Sequence, residues 1–116
     1  MMDGLLAQHW INGKWVPGSE GTFPSINPAN GAVLGQVAHG GTAEAKAAIA
    51  AARATFENTP WAVSPRLRAA VLLELAQRLE ADAGPLAALL TAENGKVQRE
   101  CAGEVEAAAS ELRYYA

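Results

Sequence analysis

Cys101 is the only cysteine in the 116-residue sequence, and a thiolate is the most capable nucleophile a side chain offers near neutral pH. Activating it requires a lowered pKa, supplied by a helix N-terminus, a cation or a histidine base. Cys101 has Glu100 and Glu104 as neighbours and sits on an apolar stripe, a turn or more inside an expected helix. Acidic neighbours disfavour the thiolate, so the expectation is a buried structural cysteine. His9 and His39 are the only histidines, and neither has a serine, a cysteine or a metal ligand at a useful spacing. Both read as exposed loop or strand-end residues, and no zinc site is expected. Glu104 and Glu106 lie two apart on the same helix and point in different directions, so they cannot share a substrate. With Glu100 and Glu111 they form a solvated face. Arg66 and Arg68, beside Ser64-Pro65, are expected to face solvent or to brace a neighbouring segment. Gly40-Gly41 precedes a helix but lacks the spacing of a phosphate-binding turn and follows no convincing buried strand.

Composition narrows the classes further. Nine basic and twelve acidic residues give a net charge of −3, spread along the chain without a basic patch. A nucleic-acid partner and an anionic membrane surface are both disfavoured by that balance. No apolar run approaches the length of a membrane span. Met1-Met2-Asp3-Gly4-Leu5-Leu6 places an acid where a signal peptide carries basic residues. A single cysteine cannot form an internal disulfide. The expectation is a soluble, cytoplasmic protein of one small domain. Half the residues are hydrophobic, but many are Ala, and seven aromatics are a thin set of large anchors.

The elements that must position these residues change character near Thr42. Before it, Gly, Pro and Asn punctuate short apolar pieces, and after it Ala, Leu, Glu and Arg dominate, the composition of helices. His9-Trp10-Ile11-Asn12-Gly13-Lys14-Trp15-Val16 reads as a β-hairpin, because Asn-Gly tolerates the positive φ of a two-residue turn. Phe23 to Val37, with Asn27-Pro28 and Asn30-Gly31 inside it, reads as a second hairpin or a pair of edge strands. Four helices are expected next. The first has Thr42 as N-cap, Glu44 in its first turn, and a face of Ala45, Ala48, Ile49, Ala52 and Phe56. Ser64-Pro65 opens the second, with a stripe of Leu72, Leu75, Ala76 and Leu79. Gly84-Pro85 starts a third through Leu86, Leu89 and Leu90, which Asn94-Gly95 ends. The fourth runs from about Val97, with Val97, Cys101, Val105, Ala108, Leu112 and Tyr115 on one face. No stop signal follows Tyr114-Tyr115-Ala116, which suggests that the natural chain continues.

Trp10-Ile11-Asn12-Gly13-Lys14-Trp15, Ser25-Ile26-Asn27-Pro28-Ala29-Asn30-Gly31, Glu93-Asn94-Gly95-Lys96 and Leu112-Arg113-Tyr114-Tyr115-Ala116 follow one another in order. Between them stand Ala51-Ala52-Arg53, Phe56, Trp61, Arg66 and Leu67. From about Gln8 onward this resembles the opening of the NAD(P)-dependent aldehyde dehydrogenase superfamily. Each motif alone is weak, and the four in order are specific. The resemblance implies an α/β, Rossmann-like fold in the full enzyme. Residues 1–116 would be the N-terminal segment of its cofactor-binding domain, with hairpins over 5–38 and helices over 42–116. It also implies oxidation of an aldehyde to a carboxylic acid, in which a cysteine thiolate attacks the carbonyl, hydride passes to NAD or NADP, and a glutamate activates water. Nothing in this sequence matches the surroundings of that cysteine, so no catalytic or cofactor-binding residue is assigned, and these 116 residues alone are expected to be inactive. Many members bind a monovalent cation, K+ or Na+, and the matching positions are Ser25, Ile26 and Glu93. Glu93 replaces a common aspartate, and its carboxylate could equally stabilise the end of its helix. The intact enzyme would be a dimer or tetramer. The competing reading is a non-catalytic helical interaction module derived from that fold, whose apolar stripes would seek a partner surface or self-associate.

Overall fold

A computed structural model describes residues 6–116. Contacts divide the chain into two compact units, Met1–Thr59 and Pro60–Ala116, at a boundary with no linker-like composition.

The first unit holds β1 (Leu6–Ala7), β2 (His9–Ile11), β3 (Lys14–Val16), β4 (Thr22–Ile26), β5 (Val33–Ala38) and α1 (Thr42–Asn58). Both expected hairpins are present; Leu5, where the first was expected to begin, lies outside the described residues. β2 and β3 pair antiparallel with Trp10 opposite Trp15, whose rings meet edge to face at 4.8 Å. Asn12 and Gly13 have φ of 51° and 74°, the two positive values that a primed turn needs to match strand twist. In the second hairpin the Asn27 carboxamide oxygen accepts from the Ala29 amide at 2.9 Å, and the Asn27 carbonyl accepts from the Gly31 amide at 2.8 Å. Asn27 thereby supplies the turn with both side-chain and main-chain acceptors. The β4–β5 register slips between Ser25 and Ile26, a β-bulge. One pairing had no sequence signal: β1 runs parallel to β5, giving a three-stranded sheet in the order β1-β5-β4. Two residues are too few to show a period of two.

α1 starts one residue away from the expectation. Gly41, not Thr42, is its N-cap, and Thr42 is already helical. A Cβ on Gly41 would lie 2.5 Å from a carboxylate oxygen of Glu20. With no side chain at the cap, Glu44 takes over, its carboxylate accepting from the Gly41 amide at 2.7 Å. This is the glutamate half of a capping box. α1 packs on β2, yet no residue of it is buried; Ile49 is 70% and Phe56 50% exposed.

The second unit comprises α2 (Pro65–Ala81), α3 (Ala83–Asn94) and α4 (Gln98–Tyr115), with α4 against both others. Ser64 caps α2 as expected: its hydroxyl accepts from the Leu67 amide at 3.2 Å, and Pro65 takes the first helical position. The break between α2 and α3 falls at Asp82, ahead of Gly84-Pro85, which lie inside the first turn of α3. Proline is at ease there because first-turn amides have no helical acceptor. Gly95 ends α3 with φ of 70°, the left-handed cap that glycine adopts without strain.

The buried face of α4 is Cys101, Val105 and Ala109. Ala108 is exposed, and so are Val97 and Tyr115, which the expected stripe had included. A strict four-residue step is the row presented by closely packed helices. With Ala76 of α2 and Ala87 of α3, the buried set in this unit consists of small side chains, so the helices approach closely but bury little area per residue. Leu72, Leu79, Leu86, Leu89 and Leu90 are half-buried around them. Arg113 of α4 clasps both carboxylate oxygens of Glu80 of α2, at 3.2 and 2.6 Å.

Candidate functional site

Ser19, Glu20, His39 and Glu44 come together at the start of α1. His9, Trp10, Ile11, Gly40, Gly41, Glu44, Ala45 and Ala48 line an open groove of about 350 Å³. The Glu44 carboxylate holds its centre, accepting from the Gly41 amide at 2.7 Å and from the Ser19 hydroxyl at 2.8 Å. Those two hydrogen bonds, the amide first, keep its pKa below the ordinary carboxylate value. Glu20 reaches His39, 3.6 Å away, from the same loop. The expectation for His39, an exposed residue past a strand end, matches its place. His9 differs: it is half-buried, and its Nε2 is enclosed without a hydrogen-bond partner against Gly40, where a Cβ would come within 2.6 Å of it.

This arrangement decides what the groove can bind. A helix N-terminus ordinarily attracts an anion through free amides and the helix dipole. Here Glu44 already supplies the negative charge, and a phosphate would be repelled by it. Gly40 and Gly41 stand close against His9 and Glu20, whose side chains an added Cβ would meet. These contacts join residues some 20 to 30 positions apart, and periodicity carries no trace of them; the only local signal was Glu44 three residues after Gly41.

Cys101 is 0% exposed within the second unit, the buried structural position expected for it. Glu100, Glu104, Glu106 and Glu111 are all exposed, with Glu104 accepting from Lys96 at 2.6 Å. Arg68 braces rather than faces solvent: its guanidinium donates to the carbonyls of Trp61 and Ala62 at 2.7 and 3.2 Å. Ser25 and Ile26 lie in the first unit where the β4–β5 ladder slips, and Glu93 is exposed in the last turn of α3 in the second. Among the described residues there is no cluster of three His, Cys, Asp or Glu side chains suited to a metal ion. No helix among them is long and apolar enough to cross a membrane.

Residues 15–116 match the model of the aldehyde dehydrogenase family. The chain belongs to that family. It is 38% identical over 109 residues to mitochondrial aldehyde dehydrogenase family 2 member B4 of Arabidopsis thaliana, covering 91% of this chain and 20% of that protein. It is 36% identical over 110 residues to the NADP/NAD-dependent aldehyde dehydrogenase PuuC of Escherichia coli, covering 92% of this chain and 22% of the relative. An NAD-dependent aldehyde dehydrogenase from Sinorhizobium meliloti superposes with a TM-score of 0.90 at 27% identity, over 97% of this chain and 23% of the other. This aldehyde dehydrogenase chain therefore spans about a fifth of the length of the relatives it matches. The hairpins and four helices seen here are those of an aldehyde dehydrogenase opening.

Proposed function

We propose that this chain is the N-terminal scaffold of an NAD(P)-dependent aldehyde dehydrogenase that oxidises an aldehyde to a carboxylic acid, with the catalytic and cofactor-binding residues outside these 116 residues. The observation that carries the reading is the near-complete coverage of this chain set against about a fifth of each relative. Two features support it. The one sulfur nucleophile, Cys101, is closed off from solvent, and the groove at the start of α1 repels phosphate through Glu44. The role left to these residues is to present packed helices and hairpins to the remainder of the enzyme, which assembles as a dimer or tetramer. The nicotinamide cofactor would accept the hydride there.

The test is the intact mass of the protein from its source, together with reduction of NAD and NADP by that protein on a panel of aldehydes. A mass well above 12.1 kDa with nicotinamide reduction supports the proposal. Equality with 12.1 kDa and a discrete, stable, inactive protein would replace it with the interaction-module reading.

Ser25, Ile26 and Glu93 are proposed to give oxygens to a monovalent cation in that enzyme. Exchange of K+ or Na+ for a bulky organic cation should then lower the melting temperature of the intact protein. The Glu93→Ala variant should be insensitive to the exchange; equal sensitivity in both would remove the site.

A further inference from the structure

Three Asn-Gly dipeptides stand in the chain, Asn12-Gly13, Asn30-Gly31 and Asn94-Gly95, and all six residues are exposed. Such a pair can modify itself. The glycine main-chain nitrogen attacks the asparagine Cγ, the new C–N bond closes a five-membered succinimide, and the displaced amide nitrogen leaves as ammonia carrying the amide proton. Water then opens the ring at either carbonyl, giving aspartate or isoaspartate. The attack needs an amide nitrogen free of its own hydrogen bond, a mobile carboxamide, and a glycine without a side chain to hinder the approach.

The structure separates the three pairs on those requirements. The Gly31 amide donates to Asn27 O at 2.8 Å, and the Asn30 carboxamide oxygen accepts from the Ala32 amide at 3.0 Å. At Asn94-Gly95 the glycine amide donates to Thr91 O at 2.9 Å, and the Asn94 carboxamide donates to Leu90 O at 3.2 Å. Asn12-Gly13 has neither restraint: no hydrogen bond engages the Gly13 amide or the Asn12 side chain among the described residues. It also forms the tip of a two-stranded hairpin with three residues in each strand, an element that is marginal by itself and opens locally.

We propose that Asn12-Gly13 is the site at which this chain undergoes spontaneous deamidation, and that the isoaspartyl product opens the β2–β3 hairpin. The two products differ in effect. Aspartate suits a primed turn as well as asparagine does. Isoaspartate inserts a methylene into the main chain, so Ile11 can no longer face Lys14 across two residues, and the Trp10–Trp15 contact is lost with the register.

Ageing the intact protein at mildly alkaline pH, followed by tryptic peptide mass analysis and enzymatic methylation of isoaspartate, tests this. Cleavage after Lys14, Lys46, Arg78 and Lys96 places the three pairs on separate peptides. Deamidation at Asn12 is expected at least about fivefold faster than at Asn30 or Asn94, the factor that one net hydrogen bond represents. In denaturant the three rates should converge. Equal rates in the folded protein, or a faster site at Asn30 or Asn94, would overturn the assignment, as would a ranking unchanged by denaturant. The near-UV circular dichroism of the tryptophans should decay with isoaspartate content and be intact in a freshly prepared Asn12→Asp variant. Persistence in the fully converted wild type would refute the hairpin opening.

Discussion

Gly18 has no side chain because the fold leaves no room for one. A Cβ there would stand 2.1 Å from the His39 carbonyl oxygen, a main-chain atom that cannot step aside. At Gly40 the obstruction is the end of the His9 imidazole, 2.6 Å away, which can rotate. Gly18→Ala is therefore expected to destabilise by about 1–3 kcal/mol or more, and Gly40→Ala by less, measured as denaturant midpoints at constant slope. Glu44 makes a prediction of a different kind. Its folded-state pKa lies below the ordinary carboxylate value because the Gly41 amide and the Ser19 hydroxyl bind the charged form. A depressed carboxylate pKa contributes stability that is fully present above the unfolded value and is lost as pH falls through the folded one. Thermal melts from neutral pH downward through the acid range in which carboxylates titrate should show that loss in the wild type and a shallower dependence in Glu44→Gln. Identical profiles would mean that the cap contributes nothing.

The helices of the second unit end on local devices whose removal costs predictable amounts. Ser64→Ala removes the acceptor for the Leu67 amide at the start of α2 and is expected to cost about 1 kcal/mol. Gly95→Ala forces a side chain into φ of 70° at the end of α3, at a similar cost of about 1 kcal/mol. The two sites belong to different helices and share no partner, so the double variant should lose the sum. A double variant no worse than either single would show that the unit does not unfold as one. By contrast the Arg113–Glu80 clasp is exposed, with both side chains 40% or more accessible. Glu80→Gln should leave stability almost unchanged, for all its bidentate geometry.

Across the whole molecule the balance between buried and exposed apolar groups is the informative feature. Among the described residues the buried hydrophobic ones are Ala38, Ala76, Ala87, Cys101, Val105 and Ala109, while Trp10, Trp15, Ile49, Phe56, Leu75 and Tyr115 remain exposed. Large apolar groups left in water at this density drive association. The 116-residue chain expressed alone is expected to associate with rising concentration in sedimentation experiments and to show no change in melting temperature with NAD or NADP. A discrete monomer, or stabilisation by either nucleotide, would contradict the scaffold role proposed for it.

Much of this was legible in the sequence because the relevant physics is local. Asn12-Gly13 implies a primed turn, Ser64-Pro65 a helix start and Gly95 a left-handed cap, each through the conformational range of one or two residues. The burial of Cys101 followed from its place on an apolar stripe, and the family likeness from four short motifs in order. What only the tertiary structure decided depends on contacts between distant residues. Gly41 rather than Thr42 caps α1, and Glu20, far back in the chain, comes against it. The buried row of α4 passes through Ala109 rather than Ala108 because facing helices, not the helix itself, choose which side of an alanine-rich surface is covered. β1 found β5 through main-chain hydrogen bonds that a two-residue strand encodes in no pattern. The relative reactivity of the three Asn-Gly pairs belongs to the same class: their sequences are alike, and the acceptors that restrain two of them are set by the turn and helix around each.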